Sequence, residues 1–233
     1  MRHFSAIYAI GDVHGCVGLM KTAYDRILRD APTGPGKKLV IFLGDYVDRG
    51  ADSKAVLEFL SRPGAEGLEQ VCLCGNHDAE FLRFLQNPQA NKGWLGFGGA
   101  ETLSSYGIDA DHILKSGGGF PVLERVVKQA VPASHIDFLA SLPTMLEIGP
   151  LVFVHAGIRP GIALAEQTDQ DLLWIREPFL SAGPKLPVLI VHGHTVQPEP
   201  DFGTRRVGID TGAFATGRLT VLRIANGKAH VLQ

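Results

Sequence analysis

The chain is poor in cysteine, has no long apolar run, and carries no excess of either charge. Cys16, Cys72 and Cys74 are an odd number with no CxxC pair, which argues against a disulfide framework and suits a reducing cytoplasm. Cys72 and Cys74 stand two apart on a strand-like run and read as packing residues rather than soft-metal ligands. The apolar segment from Phe4 to Ile10 is cut off by Gly11 and Asp12, too short for a signal-peptide core or a membrane span. With 22 Lys+Arg against 24 Asp+Glu, the basic excess expected of a nucleic-acid or anionic-membrane partner is missing. Neither partner is expected, and any attraction for phosphate must be local.

What the chain does have is apolar material, 45% of its 233 residues, ample for a buried core and for a single α/β domain over residues 1–233. Short apolar runs at Ala6–Ile10, Leu39–Leu43, Val71–Cys74, Leu151–Val154 and Val188–Val191 end near Gly, Asp or His, as buried strands do. Helical spacing of apolar residues fills Val17–Arg29, Asp52–Leu60, which opens on an Asp or Ser cap, and Asp78–Leu85. Loops are marked at Pro32–Gly36, Gly96–Gly99, Gly117–Gly119, Gly183–Pro187 and Pro198–Pro200. Arg206–Ile209, Leu219–Ile224 and Lys228–Leu232 alternate like strands, the last two joined by an Asn226-Gly227 hairpin turn.

Five short blocks place metal-seeking side chains where these strands end: GDVHG at Gly11–Gly15, GDYVDRG at Gly44–Gly50, GNHD at Gly75–Asp78, the His of VFVHAG at His155, and GHT at Gly193–Thr195. In open α/β sheets, ligands gather outside the carboxyl ends of the strands, so loops remote in sequence can converge there. Asp12 and His14 alternate by two and would face one centre if extended. Asp45 has the two oxygens needed to bridge cations about 3.5–4 Å apart. Asn76 offers an amide oxygen, and His155 and His194 offer imidazoles. This mixed N/O set without thiolate suits Mn²⁺, with Fe or Zn²⁺ as alternatives, and disfavours an all-oxygen Ca²⁺ or Mg²⁺ site. Taken singly, Asp12 or Asp45 reads equally well as a helix cap; it is the joint pattern that points to two metal ions.

Read in order, these blocks resemble the calcineurin-like metallophosphoesterases, and more narrowly the phosphoprotein phosphatase type of Ser/Thr phosphatase in its short bacterial and phage form. The likeness runs from Gly11 to about Gly212 and includes GGAETLSSYG at Gly98–Gly107, LLWIRE at Leu172–Glu177 and IDTGA at Ile209–Ala213. It implies a four-layer α/β/β/α sandwich, two mixed sheets flanked by helices, which periodicity alone does not separate from a three-layer sheet. By position it implies Asp12, His14 and Asp45 on one metal, and Asp45, Asn76, His155 and His194 on the other. It also implies that Arg49, Arg176 and Asn76 bind the phosphate, and that His77 with Asp48 handles protons.

Two cations would lower the pKa of a bound water and clamp a phosphoryl oxygen for in-line attack, without a phosphoenzyme. Paired arginine donors would stabilise the charge that builds up in the transition state. His77 would protonate the leaving oxygen, with Asp48 orienting its ring and favouring the imidazolium. The function expected on these grounds is a cytoplasmic, monomeric phosphomonoesterase acting on phosphoserine or phosphothreonine in proteins or peptides. A symmetrical diadenosine tetraphosphate hydrolase and an inactive metal-binding scaffold are the alternatives. Against the dinucleotide, the resemblance expects that enzyme to lack an Asp at position 48, to replace the GHT threonine and to be longer. His192 reads as a packing or outer hydrogen-bonding residue, and Asp210 as an acceptor for an imidazole or a turn former. Trp94, Phe97 and Tyr106 read as core or lid packing rather than a substrate groove, and His3, His112, His135 and His230 receive no role.

Overall fold

Alternation along the central strands sends successive side chains to different layers, and this settles the architecture. The computed structural model describes residues 4–31 and 36–232; His3 and residues 32–35 of the Pro32–Gly36 loop lie outside the described residues. One sheet is built from β1 (Phe4–Ile10), β2 (Lys37–Phe42), β3 (Leu68–Cys72), β9 (Val221–Ala225) and β10 (Lys228–Val231), in the order β10-β9-β1-β2-β3. The other contains β4 (Met145–Ile148), β5 (Leu151–Val154), β6 (Leu189–His192), β7 (Asp201–Gly203) and β8 (Arg206–Gly208), in the order β4-β5-β6-β8-β7. In each sheet three neighbouring strands pair in parallel, β1-β2-β3 and β5-β6-β8, and the antiparallel pairs β1-β9, β9-β10, β4-β5 and β7-β8 complete the sheets.

Ile7 and Ala9 of β1, Leu39 and Ile41 of β2, Phe153 of β5, Val191 of β6 and Val207 of β8 meet between the sheets. The intervening Tyr8, Ile10, Val40 and Phe42 point outward under α1 (Val17–Asp30), α2 (Ser53–Leu60) and α3 (Asn76–Gln86). Val152, Val154 and Ile190 face away on the other side, against Ile158, Leu172 and Phe179. The result is the predicted four-layer α/β/β/α sandwich, since both faces of both sheets are buried.

Between the sheets' halves the chain is more helical than its loop signals suggest. A 3₁₀ turn at Lys92–Phe97 leads into α4 (Gly99–Ser105), α5 (Ala110–Lys115), α6 (Gly119–Ala130) and α7 (Ala133–Ala140), which close the outer face of the first sheet through Leu103, Leu123, Val127 and Leu139. The short helices α8 (Asp169–Trp174), α9 (Phe179–Ala182) and α10 (Ala213–Thr216) follow. Edge strands β4 and β7, of 4 and 3 residues, are too short for an alternation signal. Asp52 sits at the N-cap of α2 but makes no side-chain cap bond. Cys72 and Cys74 are buried free thiols, and burial pushes Cys72 up to about 12, consistent with inert packing. No helix among the described residues is long and apolar enough to cross a membrane.

If Phe153, fully buried between the sheets, is cut to alanine, the transfer and cavity terms together should destabilise the protein by about 3–5 kcal/mol in a denaturant titration. A loss below about 1 kcal/mol would remove it from the central layer.

Candidate metal centre

Each predicted block does emerge at the carboxyl end of a parallel strand: Asp12 and His14 after β1, Asp45 to Arg49 after β2, Asn76 and His77 after β3, His155 after β5, and His194 after β6. The backbone there is held in an unfavourable conformation. Among the described residues eight non-glycine residues have positive φ, and five of them are His14, Asp45, Asp48, Arg49 and His194. Such positions cost of order 1–3 kcal/mol each and persist only where surrounding contacts impose them. Glycines permit the close approach of the loops: a Cβ at Gly193 would collide with Asp12 Oδ1, and one at Gly75 with Asp45 Oδ1.

Asp45 lies at the middle. Its Oδ1 accepts from the His77 backbone N–H at 2.9 Å, while its Oδ2 is 3.4 Å from His14 Nε2 and 3.4 Å from His155 Nε2. The tautomers follow from the opposite ring atoms. His14 Nδ1 donates to Val47 O at 2.8 Å and His155 Nδ1 to Leu43 O at 2.9 Å, since a carbonyl only accepts. Burial holds both imidazoles neutral, His14 well below its ordinary pKa and His155 at about 3. Two nitrogen lone pairs are therefore turned towards one carboxylate oxygen, an arrangement of acceptor against acceptor that a cation on either side resolves.

The remaining donors surround this hub. Asn76 Oδ1 is 2.8 Å from His155 Nε2 and 2.9 Å from His194 Nδ1. Asp12 Oδ2 accepts from the His194 N–H at 3.0 Å, but its Oδ1 and His194 Nε2 are buried with no hydrogen-bond partner. Burial raises Asp12 well above the carboxylate range, and the nearby Asp210 and Asp45 carboxylates add to the shift. Two sets of side chains converge closely enough to hold an ion, His14-Asp45-His77 and Asp45-His155-His194. Unpartnered oxygen and nitrogen atoms, three crowded carboxylates and neutral imidazoles together fit divalent cations of the Mn²⁺, Fe and Zn²⁺ kind. Asp12, expected beside His14 and Asp45, is outside the first of these sets, and His77 is inside it.

His77 has its own anchoring. Its Nδ1 lies 2.6 Å from Asp48 Oδ2, and Asp48 also accepts from Trp94 Nε1 at 2.9 Å and Thr102 Oγ1 at 2.7 Å. On the other side of the ring, Arg49 Nη2 donates to Nε2 at 3.0 Å, so Nε2 carries the lone pair. Sequence reasoning expects Asp48 to favour the imidazolium; instead burial lowers the His77 pKa and lifts Asp48 to about 7. The 2.6 Å contact alone would suggest an ion pair, but with both groups out of water a single shared proton is the better description. Arg49 lies over the Phe214 ring at 4.7 Å. Arg176 is exposed, close enough for its charge to lower the pKa of both His155 and His194.

Several supporting residues escape the sequence reading. Asp78, buried at the third position of α3, accepts from the backbone N–H groups of Gly75, Asp45 and Tyr46 at 2.9, 2.7 and 2.9 Å. It starts the helix at Asn76 rather than Asp78 and fixes the loop that carries Asp45, and only the Gly-x-x-Asp spacing of a capping box hints at this. Trp94, read as packing, donates to Asp48, and Thr102 lies inside a motif noted only for its likeness. Asp210 donates or accepts no imidazole bond: its Oδ1 accepts from Gly212 N at 2.8 Å, the turn alternative. His192 packs on the Phe179 ring edge at 5.1 Å and belongs to neither metal-fitting set.

A four-layer sandwich with imidazoles and carboxylates converging at its strand ends is the architecture of a metallophosphoesterase. The chain matches the calcineurin-like phosphoesterase family over residues 5–221 and belongs to it; it is thereby a hydrolase of metal-dependent type. Among its relatives is the bis(5'-nucleosyl)-tetraphosphatase PrpE [asymmetrical] of Anoxybacillus flavithermus, 28% identical over 92% of this chain and 88% of that one. The protein of the same name from Bacillus thuringiensis is 26% identical with the same coverage. In fold the chain is similar to the crystal structure of a proposed diadenosine tetraphosphatase, with TM-score 0.65, 20% identity and coverage of 97% and 92%. It is also similar to a Saccharomyces cerevisiae protein serine/threonine phosphatase, with TM-score 0.55, 16% identity and coverage of 95% and 73%.

The relatives' names overturn the expectation of a phosphoserine or phosphothreonine phosphatase. The motifs behind that expectation gather around the metal-fitting groups at the strand ends, and a site of that kind does not report what lies beyond the phosphate. Asp48 and the GHT threonine weigh against a symmetrical enzyme only, whereas these relatives are named asymmetrical.

With Mn²⁺ added to chelator-treated protein at a thousand times its Kd, the melting temperature should rise by an amount equivalent to about 4 kcal/mol for each ion bound, with two ions bound per chain by elemental analysis. Asp45→Asn should lose both the shift and ions. An unchanged count in that variant would displace Asp45 from the centre.

Proposed function

We propose that the chain hydrolyses dinucleoside tetraphosphates asymmetrically, releasing a nucleoside monophosphate and a nucleoside triphosphate, with two divalent ions, Mn²⁺ foremost, in its site. The observation that carries this reading is the shared name of relatives aligned along 92% of the chain. Two arginines near the site support it. Arg49 bonds His77 and Arg176 is close enough to act on His155 and His194, so that a polyanion meets two cations beside the buried carboxylates, with partly buried Glu80 the opposing charge at the rim.

Asp12, His14 and Asp45 would hold one ion, and Asp45, Asn76, His155 and His194 the other. The ions would acidify a water and offset the charge on the phosphoryl oxygens. His77 is left out of the ligand set because its two nitrogens are engaged by Asp48 and Arg49. When a phosphate draws the Arg49 guanidinium towards itself, Nε2 of His77 is released. Held by Asp48 in a fixed orientation, it can then take a proton and deliver it to the departing oxygen. Arg176, with no buried position to leave, would close on the phosphate from the opposite side.

The leaving group discriminates between substrates. A polyphosphate oxygen departs as a stable anion and needs little protonation, whereas an alkoxide needs a great deal. His77→Asn should therefore lower kcat about 10²-fold or less on diadenosine tetraphosphate and nearer 10⁴-fold on an alkyl phosphate. Equal losses on both would remove His77 from proton delivery. Wild-type protein with Mn²⁺ should show a higher kcat/KM for diadenosine tetraphosphate than for a phosphoserine peptide, with AMP and ATP as products; a preference for the peptide would reject the dinucleotide. Arg176→Ala should weaken inhibition by free phosphate roughly tenfold, the scale of one charge-assisted hydrogen bond.

A further inference from the structure

We infer that the aromatic cleft beside the metal centre, walled by Phe97 and Trp174, seats the nucleobase of the nucleotide whose α-phosphate is attacked. The inference rests on the dinucleotide reading and specifies its register. A cleft of about 460 Å³ opens between Phe97, Trp174, Glu80 and Asn91, within the range of small-molecule sites. Phe97 is 38% exposed, and neither it nor Trp174 takes part in metal or proton handling. Phe97 lies flat on the His77 ring, with centroids 4.1 Å apart and an interplanar angle of 3°. Trp174 continues the same tilt, 6.1 Å from Phe97 at 23°, and meets His194 edge-on at 6.2 Å.

The platform is held rigidly. Phe97 ends the 3₁₀ turn whose Trp94 donates to Asp48, and Trp174 ends α8, whose Leu172 and Leu173 are buried. Rigid, partly exposed aromatic faces are what a base stacks on, whatever its sequence of ring atoms. The rim also offers acceptors. Asn91 Nδ2 is spent on Arg83 O and Asn87 O, both at 2.9 Å, which leaves its Oδ1 for an exocyclic amino group such as that of adenine; Glu80 adds a carboxylate that already accepts from Arg83 Nη1 at 2.7 Å.

Because Phe97 is in direct contact with His77, a base on this platform stands about one ring farther from the metal-fitting groups than His77 itself. A ribose can span that gap and bring the first phosphate to the site. The water oxygen then bonds to the α-phosphorus as the bond from that phosphorus to the α–β bridging oxygen breaks. The bridging oxygen leaves on the triphosphate with the proton delivered by His77; the hydroxyl remains on the monophosphate, and the water's other proton passes to solvent, from which His77 is reprotonated.

In the manganese-loaded protein, Phe97→Leu and Trp174→Leu should each lower the ratio of kcat/KM for diadenosine tetraphosphate to that for p-nitrophenyl phosphate. The expected drop is roughly five- to hundredfold, the scale of one base stack, and chiefly in KM; an unchanged ratio would overturn the assignment. Hydrolysis in ¹⁸O-water should label AMP, and label in ATP or ADP would overturn the register. Should a variant fail to fold, wild-type tryptophan fluorescence decides: AMP should quench it and ribose 5-phosphate should not, and equal responses would reject base stacking. This last result is independent of which substrate is turned over, so a failure of the dinucleotide reading, seen as a preference for the phosphopeptide, is distinguished from a failure of the cleft.

Discussion

The structure depends on one carboxylate approached from two sides. Asp45 is carried to the end of β2, held there by three backbone donors bound to Asp78 and by its own acceptance of the His77 N–H, and faced by imidazoles that the two different sheets supply. His14 comes from the first sheet and His155 from the second. The inter-sheet core thus does more than stabilise: it sets the distance at which the two halves of the site meet. The carbonyls of Val47 and Leu43 choose the tautomers, and the strained turns at His14, Asp45, Asp48, Arg49 and His194 are tolerated because the packing around them imposes them.

Around this hub the protein separates generic chemistry from selection. Asp12, Asp45, Asn76 and the imidazoles form an interior of oxygen and nitrogen donors fitted to cations, and His77 with Asp48 shares a proton beside it. What distinguishes a nucleotide from a phosphoprotein must lie outside that interior, on the surfaces that touch the rest of the substrate. Phe97 and Trp174 lie there, extending the stack begun by His77 into a cleft. The same Asp48 that orients His77 also receives Trp94, so the platform and the proton-handling pair are mechanically joined.

Much of this was legible in the sequence, and the reasons are physical. Buried parallel strands leave uninterrupted apolar runs that stop where a Gly-Asp or Gly-Asn turn begins, so β1, β2, β5 and β6 and the blocks after them could be read directly. The four-layer arrangement was not visible in periodicity, because strands buried on both faces lose their alternation, and it came only with the family resemblance. Asp78 was hidden by its ordinary appearance as an early helix residue, although its partners come from two loops. Trp94 and Phe97 sit among glycines and look like packing, and their roles emerge only when the 3₁₀ turn brings them against Asp48 and His77. The substrate was misread for the same reason: the strongest motifs describe the shared chemistry, while the selective surface has no fixed spacing.

The most direct test of the account is diffraction at the manganese absorption edge from crystals of the metal-loaded protein. Two anomalous peaks about 3.5–4 Å apart, one on the His14 side of Asp45 and one on the His155 side, are expected. A single peak, or two that Asp45 does not join, would contradict it.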